Sequence, residues 1–223
     1  MKATLFALRS FGRELRSGEV LVLLAAIALA VAALTAVGFL TDRIGKAVAR
    51  QANEVLAADL RLRSQAPVPE EWREIAAEFN LQTADTMSFP SLVFHGDEKA
   101  LSSIKSVSDN YPLRGAVRVA DEFFGEQREV DGIPAAGEVW ADGALLARVG
   151  AYVGDMLDIG ELHLRVSAVL NYRPDQSIGF ASLAPTVILN IADIGASGLI
   201  GECSRVRYAL LVAGDEDDVA SFS

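Results

Sequence analysis

His95, His163 and Cys203 are the side chains best suited to hold a metal or to serve as base and nucleophile, and their placement argues against all three roles. Each histidine falls in a segment that reads as a strand, and none of the three has a second ligand at the short separations a zinc site uses. With Cys203 alone, no intrachain disulfide can form, and the redox compartment is left open. The acidic run Asp215 to Asp218 lacks the alternating oxygen ligands and closing glutamate of a calcium loop. It reads instead as the first turn of a helix, where carboxylates complement the dipole. Gly45-Lys46 is followed by Ala47, not Ser or Thr, so no P-loop is present. Gly195-Ala196-Ser197-Gly198 lacks the spacing of a nucleophile elbow and reads as a flexible loop. Gly154-Asp155, with Gly160 shortly after, could curl around a phosphate, but a hairpin turn leading into a strand accounts for it better. No catalytic, metal or cofactor site follows from these residues.

What positions the rest is a membrane. Val20 to Thr41 contains no charge and is bracketed by Glu19 and Asp42. As a helix it extends about 33 Å at 1.5 Å per residue, enough for a hydrocarbon core of about 30 Å. A helix satisfies every backbone donor and acceptor within the segment, which lipid demands. A cleaved signal peptide would also carry the basic start Lys2, Arg9, Arg13 and Arg16, but its apolar region is usually shorter, about 7 to 15 residues. Basic residues on the two sides, those four against Arg43, Lys46 and Arg50, only lean towards a cytoplasmic N-terminus. Residues 1–41 hold four basic and two acidic side chains, leaving sixteen basic and twenty-eight acidic for the remainder. So acidic a soluble part argues against nucleic acid or anionic lipid as its main partner.

The chain reads as α+β beyond the span. Residues 1–18 form a basic amphipathic helix, with Leu5, Leu8, Phe11 and Leu15 at helical spacing, or else a frayed tail. The span covers 19–41, and the helical period continues through 42–58 on Ile44, Val48 and Val55. That continuation is a stalk or the first helix of the soluble domain. Leu60-Arg61-Leu62-Arg63 alternates as a strand. Pro69, Glu70 and Glu71 then start a helix with an apolar face of Trp72, Ile75, Ala76 and Phe79, and strands follow over 83–95 and 100–108. From Gly115 onward, short segments punctuated by Gly, Asp and Pro predict strands at 117–120, 156–159, 162–170 and 186–191, with a short helix over 141–149, as a small barrel or curled sheet. A strand over 204–213 returns to the first region. A helix begins at Asp215, and the stop at Ser223 so soon afterwards reads as a truncation.

Several runs carry a resemblance. Ala7-Leu8-Arg9-Ser10 and Arg13-Glu14-Leu15 precede the span, and Ala58-Asp59-Leu60 enters the domain. More specific is Val107 to Gly115, with Tyr111-Pro112-Leu113-Arg114-Gly115 at its end, followed by Gly137-Glu138-Val139-Trp140 and Val153-Gly154-Asp155. Over essentially its whole length the chain resembles the FtsX-like, MacB-type permease subunits of ABC transporters, and most closely the YbbP-like group. The resemblance implies a bacterial inner-membrane protein with a periplasmic α/β porter-like part, placed at 59–115 and 203–223, and an inserted small β-rich part at 116–202. It implies a non-catalytic subunit without cofactor that converts ATP hydrolysis by a separate cytoplasmic ATPase into periplasmic motion, called mechanotransmission. For the YbbP-like group it further implies a periplasmic lipase- or thioesterase-like partner and work on hydrophobic molecules or lipids. A complete permease needs further spans after the domain. A self-sufficient anchored binding or adaptor domain is the alternative, and an anchored hydrolase is disfavoured because no nucleophile and base pair by motif.

Overall fold

The computed structural model describes residues 18–176, 184–198, 200 and 205–222. The expected amphipathic segment up to residue 17 and Cys203 lie outside the described residues. Two compact units divide the chain, one through Arg50 and one from Gln51 onward.

Helix α1 (Gly18–Leu56) contains the apolar stretch. Between Leu21 and Gly45 its mean hydropathy is 2.6, long and apolar enough to cross a membrane. Leu29, Leu34 and Phe39 are about 70% exposed, a surface suited to an apolar solvent. Its two hydroxyls are satisfied within the helix, Thr35 Oγ1 donating to the Val31 carbonyl at 2.7 Å and Thr41 Oγ1 to Val37 at 3.0 Å. Such internal pairing is what lets a polar side chain sit in lipid. Ile44, Val48 and Val55 all belong to this helix.

Among its described residues the second unit is built on one ten-stranded sheet. Its strands are β1 (Leu60–Ser64), β2 (Gln82–His95), β3 (Glu98–Val107), β4 (Val117–Ala120), β5 (Arg128–Val130), β6 (Glu138–Asp142), β7 (Met156–Ile159), β8 (Leu162–Tyr172), β9 (Thr186–Asn190) and β10 (Arg207–Ala213). Among the described residues three α-helices accompany them, α2 (Glu70–Glu78), α3 (Gly143–Val149) and α4 (Glu216–Phe222). The order is β1-β10-β2-β3-β9-β6-β8-β4-β5, with β7 bridging β2 and β8. Strand β10 thus pairs between β1 and β2. Strands β2, β3, β9, β6, β8 and β7 close into a ring of hydrogen-bonded neighbours. A small barrel is therefore present, but it recruits β2 and β3 from the first region. The long hairpin β2–β3 turns at Gly96, whose φ of 60° suits the first position of a two-residue turn.

Alternation explains what each face does. Inside the ring, Phe89, Val93, Ile104, Leu157, Val166, Val187 and Leu189 form one core with Leu145, Leu146 and Val149 of α3. Asp142 caps α3 by accepting from the Ala144 N–H at 2.8 Å, and Gly150 ends it in the left-handed region. On β1 and β10, Leu60, Leu62, Leu210 and Val212 turn towards α2 and α4, where Phe79 and Phe222 meet edge to face at 6.4 Å. Arg61 and Arg63 therefore face the opposite side.

Some local expectations need correction. Residues 195 and 196, read as part of a loop, belong to a 3₁₀ helix, Ile191–Ala196, which Asn190 caps by accepting from the Ala192 N–H. That cap also ends β9 at Asn190, one residue early. The helix expected from Ala141 starts at Gly143, because β6 runs on through Asp142. Strand β5 was not anticipated; its three residues are too few to show alternation.

Candidate functional site

Two of the runs that carry the family resemblance, 58–60 and 107–115, assemble where α1 ends. Helix α1 stops as Ala57 enters the left-handed region at φ 60°, unusual for a residue with a Cβ. Its carbonyl accepts two backbone N–H groups, from Leu113 at 3.1 Å and Arg114 at 3.0 Å. Ala57 and Ala58 are fully buried, in a core with Val107, Tyr111, Val119, Trp140 and Leu211. The Arg114 guanidinium forks onto Asp59, Nε to Oδ1 at 3.0 Å and Nη2 to Oδ2 at 2.6 Å. It also donates to the Gly214 carbonyl at 3.3 Å, while the Gly214 N–H donates to Asp59 at 3.1 Å. Residues 57, 59, 113, 114 and 214 are thus one knot of hydrogen bonds at the entrance to the domain. Pro112 follows Tyr111 through a cis peptide bond, and Gly115 takes a positive φ of 76°.

Upstream, the same motif is fastened to β2. The Ser108 N–H donates to the Asp85 carbonyl and its hydroxyl accepts from the Asp85 N–H; the Asn110 amide donates to the Thr83 carbonyl. Arg73 of α2 forks onto the Asp85 carboxylate at 3.0 and 2.9 Å, and that hydrogen bond raises its pKa.

Gly154 and Asp155 lie in a different place, the turn before β7. Gly154 has φ 102°, and its N–H donates to the Val166 carbonyl at 2.8 Å. The Asp155 carboxylate accepts from the Tyr152 N–H at 2.8 Å and stands 3.8 Å from His95 Nε2, while His95 Nδ1 contacts the Val149 carbonyl at 3.1 Å. These are turn-stabilising contacts, in keeping with a turn that leads into a strand. His163 pairs with Asp158 at 2.6 Å on the surface. Among the described residues no three metal-type side chains converge.

A polar cluster that the sequence did not single out lies beside the knot, linked to it by Tyr111, whose ring packs with Ala57 and Ala58 and whose hydroxyl reaches Asp175. The strand registers set Arg63 opposite Ala209, Arg207 opposite Ser88, Ser88 opposite Lys105, and Ser103 opposite Thr186 on one face. Asp175, just after β8, is only 1% exposed and is shared by several donors. Lys105 pairs with its Oδ2; Tyr111 Oη and Arg173 Nη1 each donate to Oδ1 at 2.7 Å; Arg61 Nη1 stands 3.9 Å away. Lys105 Nζ also lies 4.8 Å from the centre of the Tyr111 ring. Burial, aided by the charges of Arg173 and Arg61, pushes the Lys105 ammonium well below its ordinary pKa, against the pull of Asp175. Burial lowers Arg61 and Arg173 too, and raises the Tyr111 hydroxyl. The signals available in the sequence were the Leu-Arg-Leu-Arg alternation and a lysine between Ile104 and Val107 of β3. Asp175 carried none.

Helix, sheet and knot define an anchored α/β domain with no assembled catalytic constellation among its described residues. Residues 20–223 match the MacB-like periplasmic core domain, and the chain belongs to that family. It is 32% identical over 215 residues to the uncharacterized ABC transporter permease YbbP of Escherichia coli (strain K12), a match covering 96% of this chain and 26% of that protein. The chain thus spans about a quarter of the length of this relative. Among solved structures it is similar to the extracellular domain of the noncanonic ABC-type transporter YknZ from Gram-positive bacteria. That match has 10% identity and a TM-score of 0.47, over 73% of this chain and 88% of that one. It is also similar to the periplasmic region of MacB from Actinobacillus actinomycetemcomitans, with 9% identity and a TM-score of 0.43, over 67% and 68%.

Proposed function

We propose that the chain is the N-terminal part of an ABC transporter permease subunit that carries ATP-driven motion into a periplasmic domain, for extrusion or extraction of hydrophobic molecules or lipids. The observation that carries this reading is the knot at Ala57. Helix α1 ends on a carbonyl held by two backbone amides of the 111–115 turn and on an aspartate forked by Arg114. A displacement of the helix end is thereby delivered to β10 through Gly214 and to β2 through Ser108, not lost in a flexible linker. In this account residues 1–18 are cytoplasmic, 19–41 cross the inner membrane, and 42–58, with Ile44, Val48 and Val55, form the stalk. Residues 59–115 and 203–223 make the porter-like part and 116–202 the inserted part. Tyr111 to Gly115, Gly154 and Asp155 act structurally. The subunit itself is non-catalytic; its partners are a cytoplasmic ABC ATPase and a periplasmic lipase- or thioesterase-like protein.

The test is co-purification of the full-length protein with its ATPase and comparison with Val48→Pro, which breaks a helix interior at about 3 kcal/mol or more. ATP turnover in the complex and transport should become uncoupled. Unchanged transport by a variant whose helix is shown to be kinked would remove the mechanical role.

A further inference from the structure

The buried cluster around Asp175 opens into a cavity of about 430 Å³, within the range of small-molecule sites. Its lining includes five cationic side chains, Arg61, Arg63, Lys105, Arg173 and Arg207, against two carboxylates, Asp142 and Asp175. This is a cationic hollow in a chain whose formal net charge is −10. Among the described residues Asp175 is shared by Lys105, Arg173 and Arg61, and Asp142 adds a second negative charge that acts on Arg173. Even with Lys105 left out, the four guanidinium groups of the lining outnumber its two carboxylates, and buried charge without a partner is strongly disfavoured. Arg61 also leaves its Nε buried with no hydrogen-bond partner among the described residues. Planar guanidinium forks match the two or three oxygens of a carboxylate or phosphate. The hydroxyls of Ser88, Ser103 and Thr186 on the same face offer further donors.

We propose that this cavity, between β1, β10, β2 and β3, binds the oxyanion of a small molecule, a phosphate or carboxylate group seated against Arg61, Arg63, Arg173 and Arg207. The inference is independent of the transport reading, since it rests on the charge and enclosure of one hollow. The oxyanion is either a free ion or the headgroup of an amphiphile.

The two sources separate in one calorimetric titration of the full chain in non-ionic detergent, with inorganic phosphate as one probe and soluble dihexanoyl phosphatidic acid as the other. Arg63 and Arg207 are exposed at the rim, so the double variant R63Q/R207Q leaves the buried network in place. We expect saturable binding that weakens about tenfold or more in this variant, the effect of losing charge-assisted bonds. Added sodium chloride should weaken it as well. Binding of inorganic phosphate shows that the free ion suffices; binding of the phosphatidic acid alone assigns the site to a headgroup on an apolar body. Binding of neither probe at millimolar concentration, or binding undiminished in the folded double variant, overturns the proposal.

Discussion

Replacing Arg114 by alanine removes both arms of its fork on Asp59, at 3.0 and 2.6 Å, and the third bond to the Gly214 carbonyl. Exposed ion pairs contribute about 0.2–1 kcal/mol, whereas breaking a buried pair costs about 3–5 kcal/mol because a charge is left uncompensated. The Arg114 side chain is 37% exposed and that of Asp59 14%, which places this pair between the two limits. Asp59 keeps the Gly214 N–H, and the Ala57 carbonyl keeps the backbone amides of residues 113 and 114, so the loss stays below the upper limit. We expect about 2 kcal/mol, or a fall in Tm of about 4–8 °C for a chain of this size. The assay is thermal unfolding in detergent, followed through Trp72 and Trp140 fluorescence. A double-mutant cycle with Asp59→Ala should give a coupling of about 1 kcal/mol or more. A loss below about 0.5 kcal/mol, with no coupling, would refute the claim that this fork secures the helix exit.

Further consequences follow from the ring, the turn and the cluster. Ile104→Ala, at a fully buried position inside the ring, should destabilise by about 2–5 kcal/mol. Leu101→Ala on the same strand, 56% exposed, should stay within about 0.5 kcal/mol in denaturant titration. Gly154→Ala meets no steric obstacle but must hold φ at 102°; roughly 1–3 kcal/mol should be lost, read as a lower Tm. For Lys105 the folded pKa is lowered, so between that value and about 10.4 the unfolded chain binds more protons and stability rises with pH. Tyr111 is shifted upward, so above about pH 10 the unfolded tyrosine ionises while the folded one does not, and stability falls again. Urea midpoints across this interval should show the rise in the native chain and lose it in Lys105→Met.

How far the sequence revealed this differs by element. The span and its helical continuation were legible because an uncharged run and a 3.6-residue period are local signals. So was the β1 alternation, where each leucine faces the helices and each arginine the other side. The ring was only half legible: short strands indicated a barrel, but the parallel β3–β9 pairing and the β2–β7 bridge join segments far apart in sequence, which no local period encodes. Tyr111 to Gly115 stood out as a motif, yet its task depends on meeting Ala57, Asp59 and Gly214. The cationic cluster was missed for the same reason. Arg61, Lys105 and Arg173 are unremarkable singly and gain meaning only when the registers bring them to Asp175.

The proposed passage of motion from α1 into the sheet is most directly read as a distance. A spin label at Leu101 of the full-length protein, paired with one on the proposed ATPase partner in lipid nanodiscs, measures that distance with and without ATP. We predict an ATP-dependent shift that disappears in Arg114→Ala combined with Val48→Pro while the ATPase stays bound. An identical shift in that variant, or none in the native complex, would contradict the account.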